Sequence, residues 1–299
     1  AAKGARQMRQ RGGTSMDPVS QAITQWKIPV GAMGKAVIDK IVEYFQWFFD
    51  GLSAVLEWLV VGLTDLLLLF PPVALALALA GFAWWYQRSW KLGLGVLAGL
   101  LFILNQNLWE QTVQTLVLVL ASTVLSMAIG VPLGIWAAHN PRVWRVTQPT
   151  LDLMQTLPTF VYLIPILILF GLGAAPALIV TIIFAMPAPV RMTYLGLTTI
   201  PKPMLEAGES FGATNRQLLW KVELPAALPA IMAGLTQCIM LSLSMVVFAT
   251  LIGAPSLGNP VNKALANRNI PLGIEAGLAI VILAIILDRV LAAQRSTRS

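Results

Sequence analysis

Apolar residues in this chain fall in long blocks, neither in the strict alternation of strands nor in the single stripe of a surface helix. Leu92–Asn105 and Thr112–Ala138 contain no charged residue, and Ile270–Leu287 contains only Glu275. A helix crosses a bilayer with about 20 apolar residues, and these blocks approach that length. The pattern predicts spans at about 71–87, 90–105, 111–138, 149–172, 175–198, 226–253 and 271–291, seven helices in all. Upstream, 33–70 mixes apolar residues with Asp39, Glu43, Asp50, Glu57 and Asp65, and crowds Tyr44, Phe45, Trp47, Phe48 and Phe49 together. A span there would have to bury Glu57 and Asp65 near its ends, at high cost. An amphipathic helix lying in the membrane interface is expected instead.

Composition agrees. Of 299 residues, 57% are hydrophobic and 11% charged, against roughly 45–50% and 25% in soluble domains. So few charges cannot cover a soluble surface, and the chain reads as an all-α polytopic membrane protein. The net charge of +7 then marks cytoplasmic loops, not nucleic-acid binding. Arg88 and Lys91, Arg142 and Arg145, Lys202, Arg216 and Lys221, and Arg289, Arg295 and Arg298 fall on one side if the seven spans alternate. Only Lys263 and Arg268 lie in the opposite loops. The basic side, with the C-terminus, is assigned to the cytoplasm. One cysteine, Cys238, and one histidine, His139, leave no disulfide framework, thiolate cluster or histidine-rich metal site to build.

Residues 1–15 are basic and glycine-rich, either a native arm or sequence upstream of a natural start at Met16. The remainder divides into a 16–70 extracytoplasmic or interfacial segment and two accessory spans over 71–105. A core of five spans covers 106–292, followed by a 293–299 tail.

The long connection 201–225, PKPMLEAGESFGATNRQLLWKVELP, is the most informative segment. Pro203 suits a first helical turn, and Glu206 is expected in the first turns, where the helix dipole favours an acid. Gly212 is placed to end that helix in the left-handed conformation. Thr214 and Gln217 form a capping-box pattern opening a second short helix. That helix, carrying Leu218, Leu219 and Trp220, is expected to end at Pro225. Two short helices meeting at an angle, with exposed apolar residues, make a knob for a partner's groove.

Glu206-Ala207, Gly212-Ala213, Val222 and Leu224-Pro225 resemble, without a gap, the EAA loop of ABC importer permeases; Gly208 departs from the usual small residue with a Cβ. Leu151–Gly173, Met186-Pro187, Leu241–Val247 and Ile280–Arg289 are similar to segments of the quaternary-ammonium importers for glycine betaine, proline betaine and choline. Gly253–Asn269 and the KIPVG near residue 27 lean toward the choline branch. The resemblance covers about 26–292 and implies a type I ABC importer permease fold. It makes Glu206, Ala207, Gly212, Ala213, Leu218, Val222, Leu224 and Pro225 the coupling loop that docks on an ATPase. It further implies a pair of ATPase subunits carrying ATP and Mg, a periplasmic substrate-binding protein and a second copy of this chain in the inner membrane.

The residues themselves leave the substrate path open. Pro158 and Pro165 interrupt 149–172, and Pro187 and Pro189 disturb the next span. Asp152, Gln155 and Thr156 stand at the cytoplasmic entry. Asp152 is either half of an interfacial ion pair, with Arg145 or Arg191, or part of a gate. Phe160 and Tyr162 can offer aromatic faces to a trimethylammonium group or can simply pack. Thr236, Gln237, Ser242 and Ser244 can line the path or bond their own helix. Gly130 and Gly134 read as a close helix-packing pair.

No G-x-x-x-x-G-K-[ST] loop exists, since Gly34-Lys35 runs into Ala36, so no cofactor is expected here and hydrolysis belongs to another subunit. A secondary transporter is the competing reading. It would show internal repeats and intramembrane carboxylates, whereas the spans offer few carboxylates beyond Asp152, Glu275 and Asp288. An intramembrane enzyme lacks a paired nucleophile and base.

Overall fold

A computed structural model describes residues 29–292; the expectations for 1–15 and 293–299 lie outside them. All regular structure among the described residues is helical. The chain divides into Ala1–Gln46 and Trp47–Ser299. Helix α1 covers Val30–Leu68. Its 39 residues are far more than a bilayer crossing needs, and Gly31–Leu68 includes a stretch apolar enough to span.

Within the larger unit, Pro71 and Pro72 end the preceding turn and start α2, Pro72–Gln87. Arg88, in the left-handed region at φ 53°, turns the chain into α3, Trp90–Asn105. Each has 16 residues, about 24 Å of helix; the second coincides with the expected span 90–105 and the first starts one residue after the start of the expected 71–87. The core elements follow: α4, Trp109–His139; α5, Pro141–Thr156; α6, Thr159–Phe170; α7, Ala174–Ala185; and α8, Pro187–Thr198. Among the described residues, five helical segments are long and apolar enough to cross a membrane: Gly31–Leu68, Trp109–His139, Ala174–Thr198, Asn215–Leu251 and Ile270–Leu291. A sixth arises if α5 and α6 count as one bent span.

The expected span 149–172 is not one kinked helix. α5 and α6 meet at 97°, with Leu157 extended and Pro158 capping α6. Pro158 disfavours the helical conformation at the residue before it, and here Leu157 takes the extended one, so residues 149–156 leave the span and join a polar helix. Pro165 sits inside α6 without breaking it. Pro187 also leaves its helix intact enough to continue, because Met186 stays in right-handed helical geometry between α7 and α8.

The core is built where α4, α7, α8 and the later span meet. Val119, Leu178, Val190, Ile239 and Met245 are fully buried there. Contact between α4 and α8 depends on missing side chains. A Cβ at Gly134 would lie 2.7 Å from Thr193 Cβ and 2.8 Å from the Val190 carbonyl, and one at Gly130 would lie 2.9 Å from Pro189 Cγ. The close-packing reading of this glycine pair is correct.

Candidate coupling segment and the broken span

The connection after α8 opens with α9, Lys202–Ser210, with Pro203 in its first turn. No acid occupies that first turn: Glu206 falls one turn later, exposed, its carbonyl accepting from the Ser210 hydroxyl at 2.8 Å. Gly212 adopts φ +77°, and the Ala213 N–H returns to the Gly208 carbonyl at 3.2 Å. α10, Asn215–Leu218, opens with the full capping box: Thr214 Oγ1 accepts from the Gln217 N–H and the Gln217 side chain accepts from the Thr214 N–H.

Two expectations fail here. The second helix does not end at Pro225. It passes through a π turn, Leu219–Glu223, into α11, Leu224–Ser244. A proline ring collides with the carbonyl four residues earlier in an α-helix. The π turn, in which the Leu224 N–H reaches back to the Leu219 carbonyl, widens the helix just ahead of that point. Asn215–Leu251 therefore runs 37 residues, up to about 55 Å against a hydrocarbon core of about 30 Å.

Leu218, expected on the exposed face, is buried. Its Cδ1 occupies the place a side chain at residue 208 would take, 2.6 Å from an ideal Cβ on Gly208. The glycine that departs from the EAA pattern is thus the socket for Leu218, locking α9 against α10. Val222 and Leu224 are half-buried behind it, Ala213 is half-buried, and Ala207 and Pro225 are exposed. The apolar residues left outside are Met204, Trp220 and above all Phe211, which is 93% exposed. Sequence reasoning passed over Phe211; its position just before the left-handed glycine was the available signal.

Behind the knob lies the sole histidine. His139, at the end of α4, places Nε2 2.9 Å from Glu223 Oε2 in the π turn, and its Nδ1 is 2.9 Å from the Ile135 carbonyl. Glu223 is buried. This joint between α4 and the coupling segment was not foreseen.

The path residues divide. Asp152 pairs with Arg191 of α8, not with Arg145, at 2.6 Å. Trp144 of α5 stacks face to face on Tyr194 of α8, centroids 3.6 Å apart at 5°. The two contacts clamp α5 to α8, whose last turn leads into α9. Gln155 and Thr156 are exposed at the bend, and Phe160 is exposed beyond it, edge-on to Phe248 at 5.5 Å. Tyr162 is half-buried with its hydroxyl enclosed. Ser242 is fully buried beside Cys238, with Thr123 and Ser126 of α4 on the thiol's other sides. Ser244 is exposed and donates to its own helix at the Met240 carbonyl, 3.0 Å away, and Thr236 does the same at Met232. No group of three or more histidine, cysteine or acidic residues able to hold a metal ion occurs among the described residues.

Residues 130–295, which contain the coupling segment and the broken span, match the family described as "Binding-protein-dependent transport system inner membrane component". The chain belongs to that family. It is the multi-pass permease component of an ABC import system, and the ATP-hydrolysing subunit is a separate chain. The glycine betaine transport system permease protein OpuAB of Bacillus subtilis is 44% identical over 264 residues, 88% of this chain and 93% of that protein. The glycine betaine/proline betaine permease protein ProW of Escherichia coli is 41% identical over 95% of this chain and 79% of its own length. Both are named for betaines, so the lean toward choline has weak support. The MetNI methionine ABC transporter in inward-facing form shares the fold, with a TM-score of 0.55 at 22% identity over 64% of this chain and 94% of its own. The type I permease fold expected from the sequence is therefore shown.

Proposed function

We propose that this permease carries glycine betaine and related small quaternary-ammonium osmolytes into the bacterial cell, with the 202–223 segment and the C-terminus on the cytoplasmic side. The supporting observation is the 44% identity, over nearly the whole of both chains, to a permease named for glycine betaine. The working unit holds two copies of this chain, a pair of ATPase subunits carrying ATP and Mg, and a periplasmic binding protein. A single chain offers one knob, and a symmetric pair of ATPases offers two clefts.

In this reading Phe211, Met204 and Trp220 seat in the ATPase cleft, around Glu206, Ala207 and Gly212. Motion of the cleft passes two ways. Through α9 it reaches α8 and, by the Asp152–Arg191 and Trp144–Tyr194 contacts, it moves α5 and the bend at Pro158. Through the π turn it enters α11 directly and α4 by way of Glu223 and His139. α6 and α11, carrying Phe160, Tyr162, Ser242 and Ser244, then open alternately to either side.

Selection of the cation falls mainly to the binding protein. A quaternary ammonium needs several aromatic faces around one point, and Phe160, Tyr162, Phe170 and Phe248 are strung along two helices. The test is uptake of labelled glycine betaine and labelled choline by the reconstituted complex. Betaine uptake that requires ATP supports the reading. ATP-independent uptake driven by an ion gradient would favour a secondary transporter.

A further inference from the structure

One groove lies away from the coupling segment and the broken span. After α11 come α12, Val246–Leu251, and α13, Gly258–Asn267; the last helix, α14, Ile270–Ala292, crosses α3 at Gly99, where a Cβ would stand 2.7 Å from Ile282 Cγ2. From that crossing toward the basic end the two helices leave a groove of about 330 Å³, walled by Leu92, Ile282, Ile285 and Ile286 and closed by Arg289. Its floor is bare at Gly95, where an added Cβ would meet nothing within 4 Å.

The rim carries the opposite chemistry. The Gln87 amide donates to the Arg289 carbonyl, which holds the α2–α3 turn against the end of α14. That contact brings the turn that carries Arg88, with Lys91 three residues on, to the Arg289 end of the groove; all three cations are exposed. None of them forms an ion pair with a described acid; the carboxylate nearest in sequence is Asp288, half-buried. Trp84, Trp85 and Tyr86 line an open cleft of about 580 Å³ with Arg88 on the same rim, the place of residues that sit at a headgroup layer.

We propose that this groove is a binding site for an anionic phospholipid, one acyl chain lying along Gly95 and the phosphate among Arg88, Lys91 and Arg289. An apolar trough of this kind has no use for a free anion. Three exposed cations among the described residues, none in an ion pair, have no use for a neutral headgroup. The joint chemistry is that of an amphiphile with a negative head, which the cytoplasmic leaflet supplies. Each cation near such a surface is worth about fivefold in affinity.

Native mass spectrometry of the detergent-purified transporter complex tests this, with phosphatidylglycerol, phosphatidylcholine or inorganic phosphate added. The expected result is retained phosphatidylglycerol at one site per chain, several-fold less phosphatidylcholine and no competition by phosphate. Gly95→Leu fills the trough and should abolish retention of both lipids. Arg289→Gln should lower only phosphatidylglycerol, by about fivefold. Should Gly95→Leu fail to fold, Ile285→Trp blocks the same trough from its exposed wall. Equal retention of the two lipids, undiminished retention in the filled-groove variants, or displacement by phosphate would each overturn the proposal. So would a wild type that retains no lipid together with an Ile285→Cys variant that crosslinks to a second copy, which would assign the groove to that copy.

Discussion

His139 Nε2 meets the buried Glu223 Oε2 at 2.9 Å while its Nδ1 lies 2.9 Å from the Ile135 carbonyl. A carbonyl only accepts, so Nδ1 carries a hydrogen and donates. Nε2 is then the nitrogen left to face the carboxyl oxygen. The pair holds the end of α4 against the π turn of the coupling segment. His139→Ala leaves a buried acid without its partner and should lower stability by about 1–3 kcal/mol. Adding Glu223→Leu should restore most of that loss in thermal melts, as a double-mutant cycle distinguishes. Equal and additive losses would show that the two residues do not interact.

The Asp152–Arg191 pair is different, because both side chains are more than a third exposed. Exposed pairs are worth only about 0–1 kcal/mol. Asp152→Asn should leave the melting temperature nearly unchanged while reducing transport several-fold, since the clamp between α5 and α8 loosens. The exchange Asp152→Arg with Arg191→Asp should recover part of the rate. A variant with full uptake would reduce the pair to a surface contact.

Packing between α4 and α8 makes a third expectation. Gly134→Ala puts a methyl group against a backbone carbonyl and should cost about 1–3 kcal/mol, seen as a lower melting temperature. Gly81→Ala, where a Cβ meets nothing within 4 Å, is the matched control and should be neutral or stabilising.

Most of this was readable from residues one at a time. Local rules placed the Gly212 turn and the Thr214–Gln217 box correctly because each depends only on a few neighbouring backbone groups. Runs such as Thr112–Ala138 marked α4 because a bilayer imposes its own length on a helix. What was hidden depends on pairs far apart in the chain. Leu218 is amphipathically ambiguous until Gly208 is known to leave it a socket. Nothing in the sequence near His139 points to Glu223. Pro225 and Pro158 are equally good helix breakers on paper. The first is absorbed by a π turn and the second produces a 97° bend, a choice made by the packing of the surrounding helices. The substrate path stayed open for the same reason, since aromatic and hydroxyl residues in a span look alike whether they pack or bind.

The left-handed Gly212 has open space around it, so a substitution there is penalised by its backbone alone. Gly212→Val should cost on the order of 1–2 kcal/mol locally and misplace Phe211 without disturbing membrane insertion. Gly208→Leu should have a larger effect, because it evicts Leu218. Insertion measured by membrane fractionation should stay normal in both, while ATP-dependent uptake falls, more steeply for Gly208→Leu.

The most direct measurement takes Phe211, the most exposed large apolar side chain among the described residues. Proteoliposomes containing the permease, its ATPase and its binding protein are loaded with ATP, and labelled glycine betaine uptake is compared between wild type and Phe211→Asp. Docking through this segment requires the variant to insert and fold normally, to retain less ATPase on purification, and to lose uptake by about tenfold or more, as loss of a buried aromatic anchor at an interface does. Wild-type uptake and full ATPase retention in Phe211→Asp would contradict the coupling role assigned to residues 202–223.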